Sequence, residues 1–80
     1  NITANTLVKA SAGFVVTLVV LDAGSANGGI FDTAVIADAA AENEIFAIPQ
    51  VAGVYTINFP ASNGIVVKPG TGQTIAISYN

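Results

Sequence analysis

This 80-residue chain has five carboxylates that could take part in metal binding or catalysis. They could supply oxygen ligands to a calcium ion, which needs about six to eight oxygens from a compact cluster. Their spacing does not match the calcium-binding loop of an EF-hand. We therefore expect solvated loop charges, with a structural Ca²⁺ as the less favoured alternative. The five residues are Asp22, Asp32, Asp38, Glu42 and Glu44.

Two of these carboxylates, Asp22 and Asp32, flank a predicted hairpin and could therefore lie close together. A pair of carboxylates across a cleft is the arrangement that hydrolyses glycosidic bonds. Such a cleft also needs aromatic side chains that stack on sugars, and Phe31 is the one aromatic residue nearby in sequence. A carboxylate pair without a recognisable pocket is weak support for catalysis, so we do not predict a glycosidase.

Serine side chains could act as nucleophiles only beside an activating base. The chain has no His, so the base would have to be Lys9 or Lys68 in a Ser–Lys arrangement. Ser11, close to Lys9, is more simply a turn residue beside a solvated strand charge. Without His or Cys the usual ligands of transition metals are also missing. We expect no catalytic activity and no cofactor. The serines considered are Ser11, Ser25, Ser62 and Ser78.

A short glycine-rich segment and two tyrosines complete the candidate sites. Gly70-Thr71-Gly72 superficially suggests a phosphate-binding loop, but it lacks a third glycine and joins two predicted strands. A nucleotide fingerprint would open a helix, so we interpret the segment as a turn. Tyr55 and Tyr79 could form part of a ligand platform, although such residues are more often half-buried aromatics on a sheet face.

The composition excludes several functional classes. The chain has two cations, five acidic residues and a net charge of −3, so it cannot neutralise a series of nucleic-acid phosphates. Its apolar runs fall far short of the ~20 residues that a membrane-spanning helix needs. Yet 52% of its residues are hydrophobic and only 9% are charged. A chain this short leaves much surface uncovered, so we expect apolar patches to be buried against other subunits.

Strand-forming residues dominate the sequence, with ten Val, nine Ile and seven Thr. Turn signals separate them about every 8–12 residues, as in a sandwich or barrel. We predict one all-β domain over residues 1–80, a small antiparallel β-sandwich with Ig-like or jelly-roll-like connections. Val35 to Asn43 is a helical turn or a long loop, and Pro69-Gly70 is the centre of a type II turn. The predicted strands are Ile2 to Lys9, Phe14 to Leu21, Ile30 to Ala34, Glu44 to Ile48, Val54 to Phe59, Ile65 to Lys68 and Gln73 to Tyr79.

The strand from Phe14 to Leu21 is apolar on both faces. Strict alternation predicts a core face of Phe14, Val16, Leu18 and Val20. The opposite face would meet water in a lone sandwich, where an antiparallel strand normally carries polar residues. We therefore predict that three residues of that face lie in a subunit contact or under a covering loop. They are Val15, Val19 and Leu21.

Short patterns along the whole chain resemble those of small virion structural proteins of tailed phages. They include Leu7-Val8-Lys9, Asp22-Ala23-Gly24-Ser25, Ile30-Phe31-Asp32, Gly53-Val54-Tyr55-Thr56-Ile57-Asn58-Phe59-Pro60 and Gln73-Thr74-Ile75-Ala76-Ile77-Ser78-Tyr79. The resemblance implies a non-enzymatic β protein of the virion, such as a head decoration (cement) protein or head-fibre base. Its implied partners are further copies of itself, with a trimer favoured on a capsid, and a major capsid or other virion protein.

A second class of function stays open beside the first. The chain could be a free-standing β-sandwich that recognises a surface glycan or protein. Such a module should show an aromatic or charged ligand patch, whereas aromatic residues are 8% of this chain and charged residues 9%. Composition therefore favours a structural subunit over an adhesion module.

Overall fold

The computed structural model describes all residues from 1 to 80 and contains seven β-strands. The segment from Val35 to Asn43, predicted as either a helical turn or a long loop, forms two short 3₁₀ turns, Ile36–Asp38 and Ala41–Asn43. The predicted bounds of the fourth and sixth strands are confirmed. The strands are β1 Thr6–Lys9, β2 Gly13–Asp22, β3 Gly28–Phe31, β4 Glu44–Ile48, β5 Gly53–Ala61, β6 Ile65–Lys68 and β7 Thr74–Tyr79.

The strands form two antiparallel sheets that pack as a β-sandwich, which confirms the predicted fold class. One sheet has the order β1-β6-β3-β4 and the other the order β5-β2-β7. Between them lie nine buried residues whose β-branched and aliphatic side chains suit a pleated, half-covered surface. They are Val15, Leu18, Val20, Ile30, Ile48, Ala61, Ile65, Val67 and Ile75.

The pairing of the strands is nested, which decides between the two predicted topologies. β3 pairs with β4, β2 with β5 and β1 with β6, as if one long hairpin were folded upon itself. Rolling that hairpin brings β2 against β7 and β3 against β6. An Ig-like sandwich pairs its first two strands in one sheet, whereas here β1 and β2 lie in different sheets. The connection is that of a jelly roll, a fold that usually has eight strands.

The N-terminal segment lies beside β7, at the position that the eighth strand of a jelly roll would occupy. Ile2 forms an isolated antiparallel bridge with Ile75 of β7, with N–H···O distances of 2.7 and 2.9 Å. The chain then crosses to the other sheet, where β1 begins at Thr6. The prediction of one strand from Ile2 to Lys9 is therefore wrong, because the two halves of that stretch belong to different sheets.

β2 carries an irregularity that changes which of its side chains face the core. Its register shifts between Val15 and Thr17 in both pairings, with β5 and with β7. Val15, Leu18 and Val20 are consequently buried, whereas Phe14 is only half-buried. The predicted core face is right for the second half of the strand and wrong for the first. A β-bulge is the physical reason, since one extra residue reverses the alternation beyond it.

The β6–β7 turn lies two residues later than predicted. The N–H of Gln73 donates to the carbonyl oxygen of Gly70 at 3.0 Å, so the central residues are Thr71 and Gly72. Gly72 has a φ of 77°, which is the left-handed conformation that the third position of a type II turn requires. Glycine adopts this conformation without steric cost.

Candidate functional surface

The acidic side chains do not gather into a metal site or a catalytic pair. No three His, Cys, Asp or Glu side chains come together in a geometry that could hold a metal ion, and the surface has no pocket. Asp22 lies at the end of β2, and its Oδ1 accepts the N–H of Gly24 at 3.3 Å. Asp32 follows β3 and contacts a different loop. The two carboxylates that flank the predicted hairpin therefore serve separate turns.

Asp32 organises the loop between β5 and β6. Its Oδ2 accepts the N–H of Ser62 at 3.1 Å, and its Oδ1 accepts those of Asn63 at 2.8 Å and Gly64 at 3.4 Å. Burial by itself acts to raise the pKa of this carboxyl, but the three backbone donors outweigh that effect. The pKa of Asp32 therefore lies below its usual value of 3.8. The residue is a structural anion that clamps a loop.

We expect Asp32→Asn to lower the free energy of unfolding by about 1 kcal/mol, because the charge and one acceptor oxygen are lost at a site where two of the three N–H donors are exposed to water. A depressed folded-state pKa means that the unfolded chain binds more protons. The wild-type stability from this group is thus full above pH 3.8 and falls as the pH drops through the lower folded value. Urea unfolding at several pH values measures both effects. Asp38→Asn, at an exposed carboxylate, is the matched control and should change little; an equal loss in both variants contradicts the clamp.

Two of the remaining candidates for chemistry, Ser25 and Tyr55, make hydrogen bonds within the fold. The Ser25 hydroxyl donates to the Thr71 carbonyl oxygen at 3.4 Å, which links the β2–β3 loop to the β6–β7 turn. The Tyr55 hydroxyl donates to the Val51 carbonyl oxygen at 2.8 Å. Its ring lies 6.0 Å from that of Phe46, at an interplanar angle of 47°. Tyr55 is therefore a half-buried aromatic that packs against the core.

A buried glutamine holds the opposite end of the sandwich, and sequence reasoning missed it. Gln73 is 1% exposed; its Oε1 accepts the N–H of Gly70 at 2.8 Å, and its Nε2 donates to the Pro49 carbonyl oxygen at 2.9 Å. It thereby joins the β4–β5 loop to the β6–β7 turn. The available signal was a lone amide at the start of a predicted strand, which must find partners when it is buried.

The outer face of the β1-β6-β3-β4 sheet exposes Leu7 of the edge strand β1, at 38%, but is closed at its centre. Leu7 and Phe31 are the register partners of Val66, which is fully buried. The Lys68 ammonium lies 5.8 Å from the centroid of the Phe31 ring, in cation–π geometry. This sheet therefore leaves no exposed apolar side chain at its centre.

The middle of the outer face of the other sheet carries no charged side chain. Val19 of β2 has Val54 and Ala76 as its neighbours on the adjoining strands, and Thr17 has Thr56 and Ser78. Cross-strand neighbours share a face, and the buried residues Leu18 and Val20 alternate with Val19, so this row points away from the core. We call the following six residues the outer patch: Thr17, Val19, Val54, Thr56, Ala76 and Ser78.

The predicted interface residues divide between the core and this surface. Val15 is fully buried in the core of the free chain, so its placement on the outer side of the strand is wrong, for the reason of the β-bulge. Val19 lies in the outer patch, and Leu21, at the end of β2, is 51% exposed. Val54, which sequence reasoning did not single out, is 70% exposed. A subunit contact through Val19 and Leu21 stays a prediction.

No helix in the structure has the length and apolarity needed to cross a membrane. Comparison with known proteins gives no match at any of three levels: protein-family models, curated proteins and solved structures. The chemistry of the chain's own surface therefore carries any inference about its function.

Proposed function

We propose that this protein is a non-enzymatic structural subunit that assembles through its outer patch. The observation that carries the proposal is that the six residues of the outer patch carry no charge, while Val54, on the edge strand β5, is 70% exposed. Val19, Val54 and Ala76 form an apolar row across the three strands, and contiguous apolar surfaces on a protein mark interaction sites. The outer patch belongs to a sheet face, and sheet faces pack against one another in sandwiches.

The assembly that we propose is a phage particle. The chain contacts further copies of itself and a major capsid or other virion protein, and it stabilises the particle as a decoration protein. Two observations support this proposal: the resemblance in sequence patterns to small virion proteins, and the jelly-roll pairing, which viral capsid domains use. The localisation that follows is the virion.

A second candidate function is a surface-binding module for glycans. Phe59 and Tyr79 are the neighbours of Val15 on β5 and β7, and they are 49% and 45% exposed. Exposed aromatic rings are the groups that stack on sugars, and lectin domains also use jelly rolls. A stable monomer that binds glycans would favour this function over the first.

The test is Val19→Lys, which we expect to leave the fold intact and to abolish assembly. The Lys stem can lie along the sheet while its ammonium reaches water, but the charge would be desolvated in a subunit contact. Circular dichroism reports the fold, and sedimentation velocity with electron microscopy of particles mixed with the protein reports assembly. Val35→Lys is the control, since Val35 is 50% exposed on the β3–β4 connection. Normal assembly of folded Val19→Lys would contradict the proposal.

A further inference from the structure

The chain contains two Asn-Gly steps, Asn27-Gly28 at the start of β3 and Asn63-Gly64 in the loop between β5 and β6. At such a step the glycine backbone nitrogen can attack the side-chain amide carbon of the asparagine, because glycine has no Cβ to hinder the approach. The N–Cγ bond forms, the Cγ–Nδ2 bond breaks, and the amide nitrogen leaves as ammonia with the proton that the glycine nitrogen gives up. Water then opens the succinimide ring to aspartate or isoaspartate. The fold determines whether each glycine nitrogen can reach its target carbon.

Asp32 holds the two backbone N–H groups on either side of the Asn63 side chain. Its Oδ1 accepts the N–H of Asn63 at 2.8 Å and that of Gly64 at 3.4 Å. Successive N–H groups that converge on one anionic oxygen form a nest, which needs particular backbone torsion angles between them. Closure of the succinimide ring rotates the ψ angle of Asn63, since the Gly64 nitrogen must swing toward Cγ. The attack therefore requires that the Gly64 N–H leave Asp32.

The backbone at Gly64 is also enclosed by packing. Gly64 is buried, whereas Asn63 beside it is exposed. A Cβ placed on Gly64 would lie 2.6 Å from the Thr33 carbonyl oxygen and 2.8 Å from that of Lys9. Backbone from β1 and from the β3–β4 connection thus surrounds this glycine, independently of the carboxylate. Deamidation consequently needs a local opening of the loop, and the hydrogen bonds to Asp32 raise the free energy of that opening.

We propose that Asn63-Gly64 is a deamidation site that the Asp32 side chain keeps closed. A carboxylate beside an amide could instead act as a general base that removes the glycine proton. Efficient general-base catalysis needs a pKa near the operating pH. The backbone donors around Asp32 hold its pKa below 3.8, so its carboxylate is a poor base. Its hydrogen bonds restrain the loop and slow the reaction.

Either product of the reaction dismantles the arrangement around Asp32. Isoaspartate inserts an extra methylene into the main chain at position 63, so the two N–H groups no longer converge on one oxygen. Aspartate adds a second carboxylate near Asp32, and like charges at close range destabilise each other. It also makes the net charge of the chain, −3, one unit more negative. Deamidation at this step is thus an irreversible switch from a clamped to a loosened β5–β6 loop.

The other step, Asn27-Gly28, serves as an internal reference. The Asn27 Oδ1 accepts a hydrogen bond from the Gln50 Nε2 at 3.2 Å, and both residues are exposed. A Cβ placed on Gly28 would lie 2.8 Å from the Gln73 Oε1, so this step belongs to the end of the sandwich opposite Asp32. The ratio of the two deamidation rates in one sample cancels the effects of temperature and pH on the chemistry.

The test measures deamidation at positions 63 and 27 by peptide mapping after incubation of the folded proteins in mildly alkaline buffer. We expect Asp32→Asn to deamidate about fivefold faster than the wild type at position 63, the factor that matches its expected loss of stability. Asp32→Ala, which loses both acceptor oxygens, should be faster still. The rate at position 27 should be the same in all three proteins. Circular dichroism verifies that each variant remains folded.

Gln73→Ala is the control, since it weakens the other end of the sandwich and should leave the rate at position 63 at its wild-type value. Equal rates at position 63 in the wild type and Asp32→Asn overturn the inference, as does a slower rate in Asp32→Asn, which identifies the carboxylate as a base. If Gln73→Ala accelerates the reaction at position 63 as much as Asp32→Asn does, global unfolding controls it and the inference fails. None of these readouts depends on assembly through the outer patch, so the proposed function is tested separately.

Discussion

Leu18→Lys is expected to abolish folding of the isolated chain. Leu18 is fully buried, and its neighbours across the sheet are Tyr55 and Ile77, which pack against the same core. A lysine there would bury an ammonium without a partner, at a cost of several kcal/mol. A domain of this size has a total stability on the order of 5 kcal/mol. Loss of the β-sheet circular dichroism signal and of cooperative urea unfolding is the expected result.

Val19→Lys provides the matched control, since it places the same charge one residue further along the same strand. Val19 lies in the outer patch, so the protein should remain folded and lose less than about 1 kcal/mol, as surface substitutions usually do. Leu18→Ala should fall between the two, at about 2–5 kcal/mol, because it leaves a cavity but no charge. A folded Leu18→Lys together with an unfolded Val19→Lys would reverse the assignment of the two faces of β2.

Gln73→Ala is expected to lower the free energy of unfolding by about 2–4 kcal/mol. The substitution removes two hydrogen bonds and leaves the Gly70 N–H and the Pro49 carbonyl oxygen without their partners, which is costlier than losing a solvated pair. Both the β4–β5 loop and the β6–β7 turn should loosen. Urea unfolding measures the stability, and faster exchange of the Gly70 amide would localise the change.

The control for this substitution is Gln50→Ala. Gln50 also makes a side-chain hydrogen bond, from its Nε2 to the Asn27 Oδ1 at 3.2 Å, but it is exposed. Water can replace that partner, so the loss should stay below about 0.5 kcal/mol. Equal effects at the two glutamines would show that burial of Gln73 does not determine its contribution.

Local chemistry was enough to predict most of the strands. The predicted bounds of β4 and β6 agree with the structure because Pro49 closes one and a turn signal, Pro69-Gly70, follows the other. β3 ends at Phe31, three residues before the predicted end. There the Asp32 N–H donates to the Asn43 carbonyl oxygen at 2.7 Å, a contact with a residue eleven positions away that no local pattern contains.

The candidate surface was predictable only in part. An apolar strand with two apolar faces indicated correctly that β2 has a buried side and an outward side that includes Val19 and Leu21. The position of Val15 could not be read from alternation, because the irregularity near it is set by the pairing of β2 with both of its neighbours. Val54 was missed because its exposure depends on β5 being an edge strand, which is a property of the whole sheet order.

The sequence by itself determined that this chain is an all-β sandwich with few charges. Side-chain shape and turn residues act locally, and the number of charged residues follows from the composition alone. The tertiary structure alone decided the jelly-roll pairing, the burial of the Val15 side chain in the core, and the roles of Asp32 and Gln73. It also placed β5 and β7 on either side of β2 in one sheet. Each of these depends on groups far apart in sequence, whose hydrogen bonds and packing exist only after the two sheets have closed on each other.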